Sequence, residues 1–468
     1  MHPTVYDTVC NIISKFNNLL WGFGTILLIF GTGIFFTIRT NGFSFIHLVH
    51  IFKSTLFGKS STSTDDKKGT ISQFQALSTA LAASMGTGNI VGVAAAISVG
   101  GAGAVFWMWV SSLFGTAVAF AENVLGVKYK KFVSEKSFGP MAYISNGLGF
   151  PALAAVYAAV CAAASFGIGN MTQTNAIASA AAEMGAPPIL AGAFTALLCG
   201  TIIFRGAKKV AAAAEKIIPI ISVLYLAAAI AVIVIYGNNI IEVLKLIFTS
   251  AIGYSQIAGG FVGTVVKKSV SVGLRRGIFS NEAGMGSSVL VHTEADCGEP
   301  VQMGMWAVAE VIIDTVICCT LTALVILLTN ADASGEQGLA MAAEGFRRGL
   351  GEYAAVFVSV SAIIFAFCTL LGWYFYGEKC VLYIAKNGKK KRALFLFRTA
   401  YVLAAFFGAV TAPRLVWDTA DILNWTMLVI NLSAVLILNK EVVEITDNYT
   451  KRIFSRSKTA EKIYRKKG

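Results

Sequence analysis

Ala76-Leu-Ser-Thr-Ala-Leu-Ala-Ala-Ser-Met-Gly-Thr-Gly-Asn-Ile-Val-Gly-Val-Ala94 is an apolar run with the polar, glycine-containing Ser84-Met-Gly-Thr-Gly-Asn89 set in its middle. With its flanks it covers 73–99, enough for the roughly 20 apolar residues that cross a bilayer. Gly86 and Gly88 can leave helical dihedrals at little steric cost. Irregular backbone at membrane depth persists only against protein or a wet cavity. A break there frees carbonyls on one side, able to ligate a small hard cation. On the other side it frees N–H groups, able to hold a carboxylate. Such glycines also serve plain helix packing. A second interruption, Phe279-Ser-Asn-Glu-Ala-Gly-Met-Gly286, repeats the combination of glycines with Asn and hydroxyls. Paired interruptions at matching places in two halves point to a transport site.

The composition around these stretches agrees with a membrane setting. Of 468 residues, 56% are hydrophobic and 13% charged, against about 25% charged in soluble chains. The net charge of +13 is spread between apolar runs and one tail, not gathered on a compact domain, so no nucleic-acid partner is expected. The eight cysteines lack C-x-x-C spacing and lie mostly in apolar stretches, where they serve as small packing residues. The first run, about Leu19 to Ile38, is too long for a signal-peptide core and lacks a cleavage site, so it is expected to remain as a helix.

Eleven spans follow, at about 17–38, 73–99, 103–127, 150–183, 187–204, 212–236, 257–293, 301–329, 353–384, 396–412 and 420–439. The fourth, seventh and ninth are overlong and must be tilted, broken or extended. Alternate loops and the tail carry 28 of the 38 basic residues. That side is the cytoplasm by the positive-inside rule, leaving the amino terminus outside and the carboxyl terminus inside. Lys267, Lys268, Arg275 and Arg276 do not fit the pattern, since they fall toward the outer half of the seventh span. The chain thus divides into an amino-terminal helix and loop (1–72), a five-helix unit (73–236), a second five-helix unit of opposite direction (237–440) and a basic tail (441–468) that meets anionic lipid.

The first stretch, followed by Gly100-Gly-Ala-Gly-Ala-Val-Phe-Trp-Met-Trp109, resembles the alanine or glycine:cation symporter family. Arg276-Gly-Ile-Phe-Ser-Asn-Glu-Ala-Gly-Met-Gly-Ser287 is similar to its second signature. Glu310-Val-Ile-Ile-Asp-Thr315 with Cys319-Thr320, and Gly372-Trp-Tyr-Phe-Tyr-Gly-Glu378, are similar to two more. The resemblance implies an all-α polytopic protein of the LeuT-type fold, with one extra helix ahead of a five-plus-five inverted repeat. It implies sodium- or proton-coupled uptake in the inner membrane, with alanine and glycine as typical substrates and glutamine for some members.

Carried onto this sequence, the resemblance makes Ser84, Gly86, Thr87, Gly88 and Asn89 the seat of the substrate carboxylate. Ser280 and Asn281 face it from the second break, Gln173 is a polar neighbour, and Trp373 is a wall of the pocket. A sodium ion is implied between carbonyls near Ala82 and Met85 and the side chains of Cys368 and Thr369. Family members carry two hydroxyl residues there. This chain has a thiol at one position, a soft and poor ligand for a hard cation.

The expected function is secondary active transport, coupling uptake of a small neutral amino acid to sodium entry by alternating access. The alternatives are a glutamine or other amino-acid symporter driven by protons, or a passive channel. Channels favour repeated filter loops or charge rings, and neither is present in the sequence. No H-E-x-x-H, G-x-S-x-G or P-loop occurs in the 39–72 loop, so no enzyme activity and no cofactor are expected, and a monomer is favoured. Glu122, Glu310, Asp314 and Glu378 are assigned to pairing with basic residues at helix ends. Glu282 stands between substrate-amine partner and structural anchor. His47 and His50 form an interfacial helix face.

Overall fold

The computed structural model describes residues 5–57, 71–130, 139–205, 207–253, 262–385, 388–411 and 413–465. The first residues of the seventh expected span, 257–261, and the loop lysines Lys59, Lys67, Lys68, Lys131, Lys136 and Lys386 lie outside them. Described residues are helical throughout apart from turns and one isolated bridge, Ile71 to Ala295.

In chain order the principal helices are α1 (Val5–Leu20), α2 (Phe23–Arg39), α3 (Gln73–Ser84), α4 (Gly88–Gly100), α5 (Gly103–Lys130), α6 (Pro151–Glu183) and α7 (Pro188–Ile203). They continue with α8 (Glu215–Ile235), α9 (Val262–Asn281), α10 (Pro300–Leu328), α11 (Glu352–Ile384), α12 (Lys390–Val410), α13 (Pro413–Ile437) and α14 (Asn439–Arg465). Seven helices among the described residues are long and apolar enough to cross a membrane, or up to nine when the bent pairs α1–α2 and α3–α4 each count as one span. The protein is therefore a multi-pass membrane protein. Two of the eleven expected segments fall short for separate reasons. α7 has only 16 residues, and α9 carries Lys267, Lys268, Arg275 and Arg276, too many cations for an apolar window.

The overlong segments resolve in different ways. The fourth is α6, whose helix widens into one π-turn at Gly167–Met171. The ninth is α11, 33 uninterrupted residues, about 50 Å at 1.5 Å per residue. The seventh ends at Asn281 and resumes only as the short helix Val289–His292.

α5 is the hub, packed along α2, α9 and α10, while α11 packs on α3, α6 and α8. Glycine at crossing points permits this closeness: a Cβ on Gly372 of α11 would lie 2.8 Å from Ala83 of α3. α3 starts from a capping box in which Ser72 accepts from the Gln75 N–H and Gln75 Oε1 accepts from the Ser72 N–H, both at 3.0 Å. The basic tail is helical over Asn439–Arg465. α14 is amphipathic and leans on α5 and α10, where Tyr129 donates to Glu441 at 2.8 Å and His50 Nε2 meets Tyr449 Oη at 3.1 Å. All eight cysteines are free.

Candidate functional site

α3 ends because Met85 turns to ψ 70, after which α4 departs at 49° through a wide π-turn at Gly88–Gly92. Neither Gly86 nor Gly88 uses the left-handed region, so the dihedral freedom expected of them is not what the break draws on. They are small because neighbours leave no room. A Cβ on Gly86 would overlap Thr369 Oγ1 of α11 and lie 3.1 Å from Gln173 Oε1 of α6. On Gly88 it would lie 3.2 Å from the Cα of Ser280, so this glycine lets the two breaks touch.

The second break does use left-handed backbone, with Glu282, Gly284 and Gly286 at φ 56, 85 and 75. A non-glycine residue held there is strained unless its surroundings over-determine it, and they do. Glu282 accepts from Trp373 Nε1 at 2.8 Å and from Ser287 Oγ at 2.5 Å, with 1% of its surface exposed. Protein donors thus occupy both of its oxygens, which is the anchor arrangement. Trp373 is wholly buried by this bond, by Tyr376 at 5.4 Å between ring centres, and by Gly169 of α6. Asn281 caps the turn, accepting from the Ala283 N–H at 3.1 Å and donating to Thr315 Oγ1 at 3.1 Å.

Between the breaks stands Asp314 of α10, fully buried. Its carboxylate accepts from Ser280 Oγ at 2.6 Å, Asn89 Nδ2 at 2.8 Å and Thr315 Oγ1 at 2.8 Å, so it joins α4, α9 and α10. Among the described residues the ion pairing with Lys or Arg assigned to the four intramembrane acids holds for Glu378, 3.3 Å from Arg398. Glu122 instead takes Asn431 Nδ2 at 2.6 Å and the Gly284 N–H at 3.4 Å. Glu310 meets the buried His292 at 2.8 Å. Asp314 has no ion pair among the described residues, because the groups that reach it are amide and hydroxyl donors. The sequence reading left Asp314 and Thr315 out of the site. Their signal is an acid in mid-span with no base within a helical turn, a pattern that defaults to function.

Three buried polar atoms at the first break have no partner among the described residues: Ser84 Oγ, Thr87 Oγ1 and Asn89 Oδ1. Buried polar atoms are nearly always satisfied, and here three that are not lie within six residues of one another. Gln173 Oε1 accepts from the Thr87 N–H at 3.3 Å and holds a position where a ligand carboxylate is expected. On the other flank Thr369 Oγ1 donates to Ala82 O at 2.8 Å, with Cys368 and Met85 buried nearby in chain. Ala82 and Thr369, implied as cation ligands, are thus brought together. Among the described residues no hydrogen bond joins Cys368 to them.

A sequence profile described as the sodium:alanine symporter family matches residues 6–463. The chain belongs to that family. It is a transporter and not an enzyme. The sodium/alanine symporter of Methanococcus maripaludis is 37% identical over 447 residues, covering 93% of this chain and 96% of that one. A Bacillus subtilis protein named a probable sodium/glutamine symporter is 36% identical over 446 residues, covering 94% and 91%. The amino-acid carrier protein AlsT of the same organism is 34% identical, covering 96% and 93%.

The geometry of this family member separates two roles for Trp373. Trp373→Phe keeps an aromatic ring but leaves Glu282 Oε1 without its donor, at a cost of about 1–3 kcal/mol. The thermal midpoint of purified protein is expected to fall while substrate preference stays unchanged. A changed preference at an unchanged midpoint would put the indole against the substrate instead.

Proposed function

We propose that this protein couples entry of a small neutral amino acid, alanine or glycine, to entry of sodium by alternating access. The observation that carries the reading is the contact of the two breaks. Gly88 lies against Ser280, Ser84, Thr87 and Asn89 of the first break carry unpartnered oxygens, and the Asp314 carboxylate, hydrogen-bonded to Asn89 and Ser280, has no ion pair among the described residues. A zwitterion needs donors for its carboxylate, and the start of a half-helix at mid-membrane supplies them. Ser84, Gly86, Thr87, Gly88, Asn89, Gln173, Ser280 and Asn281 are the proposed substrate shell, with Trp373 behind the second break.

For the cation, Ala82 O and Thr369 Oγ1 form one oxygen pair, completed by Met85 O and bordered by Cys368. Asp314 is a second seat, because a buried carboxylate without a counter-ion is costly and a cation in its shell removes that cost. The same group supports a second reading, proton coupling, since a proton on Asp314 would neutralise it equally. The name of the Bacillus subtilis relative keeps glutamine open as substrate.

The arrangement proposed is LeuT-type: eleven membrane helices, with units 73–236 and 237–440 as inverted repeats behind an amino-terminal helix. The protein acts as a monomer in the inner membrane, amino terminus outside and carboxyl terminus inside. The breaks fall in the first segment of each unit, and the basic residues gather on alternate loops, which supports both statements.

Uptake of labelled alanine, glycine and glutamine into proteoliposomes, with sodium or proton gradients imposed separately, tests the reading. Sodium-driven alanine or glycine accumulation is expected. Cys368→Ser should leave sodium affinity equal or higher, since it exchanges a soft atom for a hard one. Uptake that responds only to the proton gradient, in parent and variant alike, would overturn sodium coupling. Equilibration without accumulation would make the protein a passive pore.

A further inference from the structure

A cavity of about 1030 Å³ opens between the α1–α2 pair and α9, away from the two breaks. It exists because α1 and α2 meet at 40° around Trp21 and Gly22. Its floor is basic. Lys267, Lys268, Arg275 and Arg276 all line it. Two acids lie near that floor: Asp421, 3.7 Å from Arg275, and Asp418, both also held by Asn17 at 3.4 Å. Arg276 spends its charge on the Trp417 ring at 4.4 Å, and its NH1, like the Nε of Arg275, is buried without a hydrogen-bond partner among the described residues. Lys267 and Lys268 are exposed and form no ion pair among the described residues. The cavity therefore carries an excess of positive charge.

Its walls have the opposite character. Phe23, Ile26, Leu27 and Phe30 of α2 face Val99 of α4 and Trp107 of α5. Phe23, Leu27 and Val99 remain exposed, so the apolar side opens outward from the protein. A free inorganic anion gains nothing from such walls, and a zwitterionic amino acid brings no net charge for four cations. An amphiphile with an anionic head and alkyl chains matches both halves at once.

We propose that this cavity is a binding site for an anionic phospholipid. The headgroup phosphate sits on Lys267 and Lys268, with Arg275, held by Asp421, Asn18 and Ser271, adding its charge beside them, and the acyl chains run along the α2 wall. Lys267 and Lys268 then have a use that the transport site does not give them, and these two residues that fit no topology rule become headgroup anchors. The lipid bridges the amino-terminal helix pair to α9, the helix whose far end bears Ser280 and Asn281. Its binding is expected to steady that helix.

The test uses full-length protein purified and stripped of lipid in detergent. Added phosphatidylglycerol should raise the thermal midpoint by about 3 °C or more above added phosphatidylcholine, as a ligand of the folded state does. Native mass spectrometry should retain phosphatidylglycerol on the parent. In K267Q/K268Q, whose substituted side chains are exposed and leave folding intact, both the lipid-specific shift and the retained lipid should vanish. In K389Q/K390Q, which removes lysines elsewhere, both should persist. Four results would overturn the site: equal shifts from both lipids, the same shift from inorganic phosphate, an undiminished response in K267Q/K268Q, or an equal loss in K389Q/K390Q.

Discussion

Asp314→Asn is expected to cut sodium-driven uptake by about 100-fold, equivalent to about 2.7 kcal/mol, while leaving an inserted and folded protein. The carboxylate takes three donors from three segments, Asn89, Ser280 and Thr315, and no cation of the protein answers its charge among the described residues. An uncompensated buried charge costs several kcal/mol. The negative site is therefore tolerable only if a mobile cation or a proton shares it during the cycle. Asparagine keeps the shape and one acceptor oxygen but has no charge to return to the cation. Its amide nitrogen is itself a donor and faces donors where the carboxylate offered an acceptor oxygen. Sodium dependence of alanine binding to the purified variant should be flat over the range in which the parent responds. Uptake within about threefold of the parent, with its sodium dependence intact, would remove Asp314 from the cation path. If the parent is indifferent to sodium, loss of proton-driven uptake in Asp314→Asn would assign Asp314 to the proton.

Much of the fold can be read from the chain because the bilayer demands long apolar runs, and their spacing survives in any composition plot. α5, α10 and α11 sit where the apolar runs end, within a few residues. What could not be read is where a helix departs from an apolar pattern for a reason of its own. α9 is diluted by four cations that line a cavity. The fold of α14 over the hub helix was hidden because its lysines and arginines dominate the tail. Its contacts depend on Glu441 and Tyr449 finding Tyr129 and His50, each more than 300 residues away.

The site divides in the same way. Both breaks are visible as glycines in apolar sequence, and their contact follows from placing them at matching positions. The place of Asp314 between the breaks was missed despite the signal of an acid in mid-span, because such an acid does not itself tell whether its partner is a base or a hydroxyl. Its partners Asn89 and Ser280 lie 225 and 34 residues away. Gly86 and Gly88 were read for backbone freedom, but that property belongs to Gly284 and Gly286. Sequence shows that a side chain is missing and does not show whether space or dihedral angle forbids it.

That distinction decides the outcome of the last pair of substitutions. Gly86→Ala adds a methyl that overlaps Thr369 Oγ1 and stands 3.0 Å from Thr369 Cβ and 3.1 Å from Gln173 Oε1. The backbone angles accept alanine, so the whole effect comes from those contacts. Thr369 must turn away from Ala82 O, which dissolves the oxygen pair proposed for the cation, and Gln173 must leave the Thr87 N–H. Transport should fall below about 1% of the parent, with sodium dependence and substrate affinity lost together, as expected for overpacking a tight site. Gly88→Ala presses on the Cα of Ser280 at 3.2 Å, backbone that cannot rotate aside, and so wedges the two breaks apart. Because every amino acid carries the same carboxylate, Gly88→Ala should lose affinity for alanine, glycine and glutamine alike. Thr369→Ala removes the hydroxyl from the path of the new methyl. Gly86→Ala/Thr369→Ala should therefore regain alanine binding, measured by calorimetry, without regaining sodium coupling. Normal alanine affinity in both single variants would place the substrate away from the first break and end the case for this site.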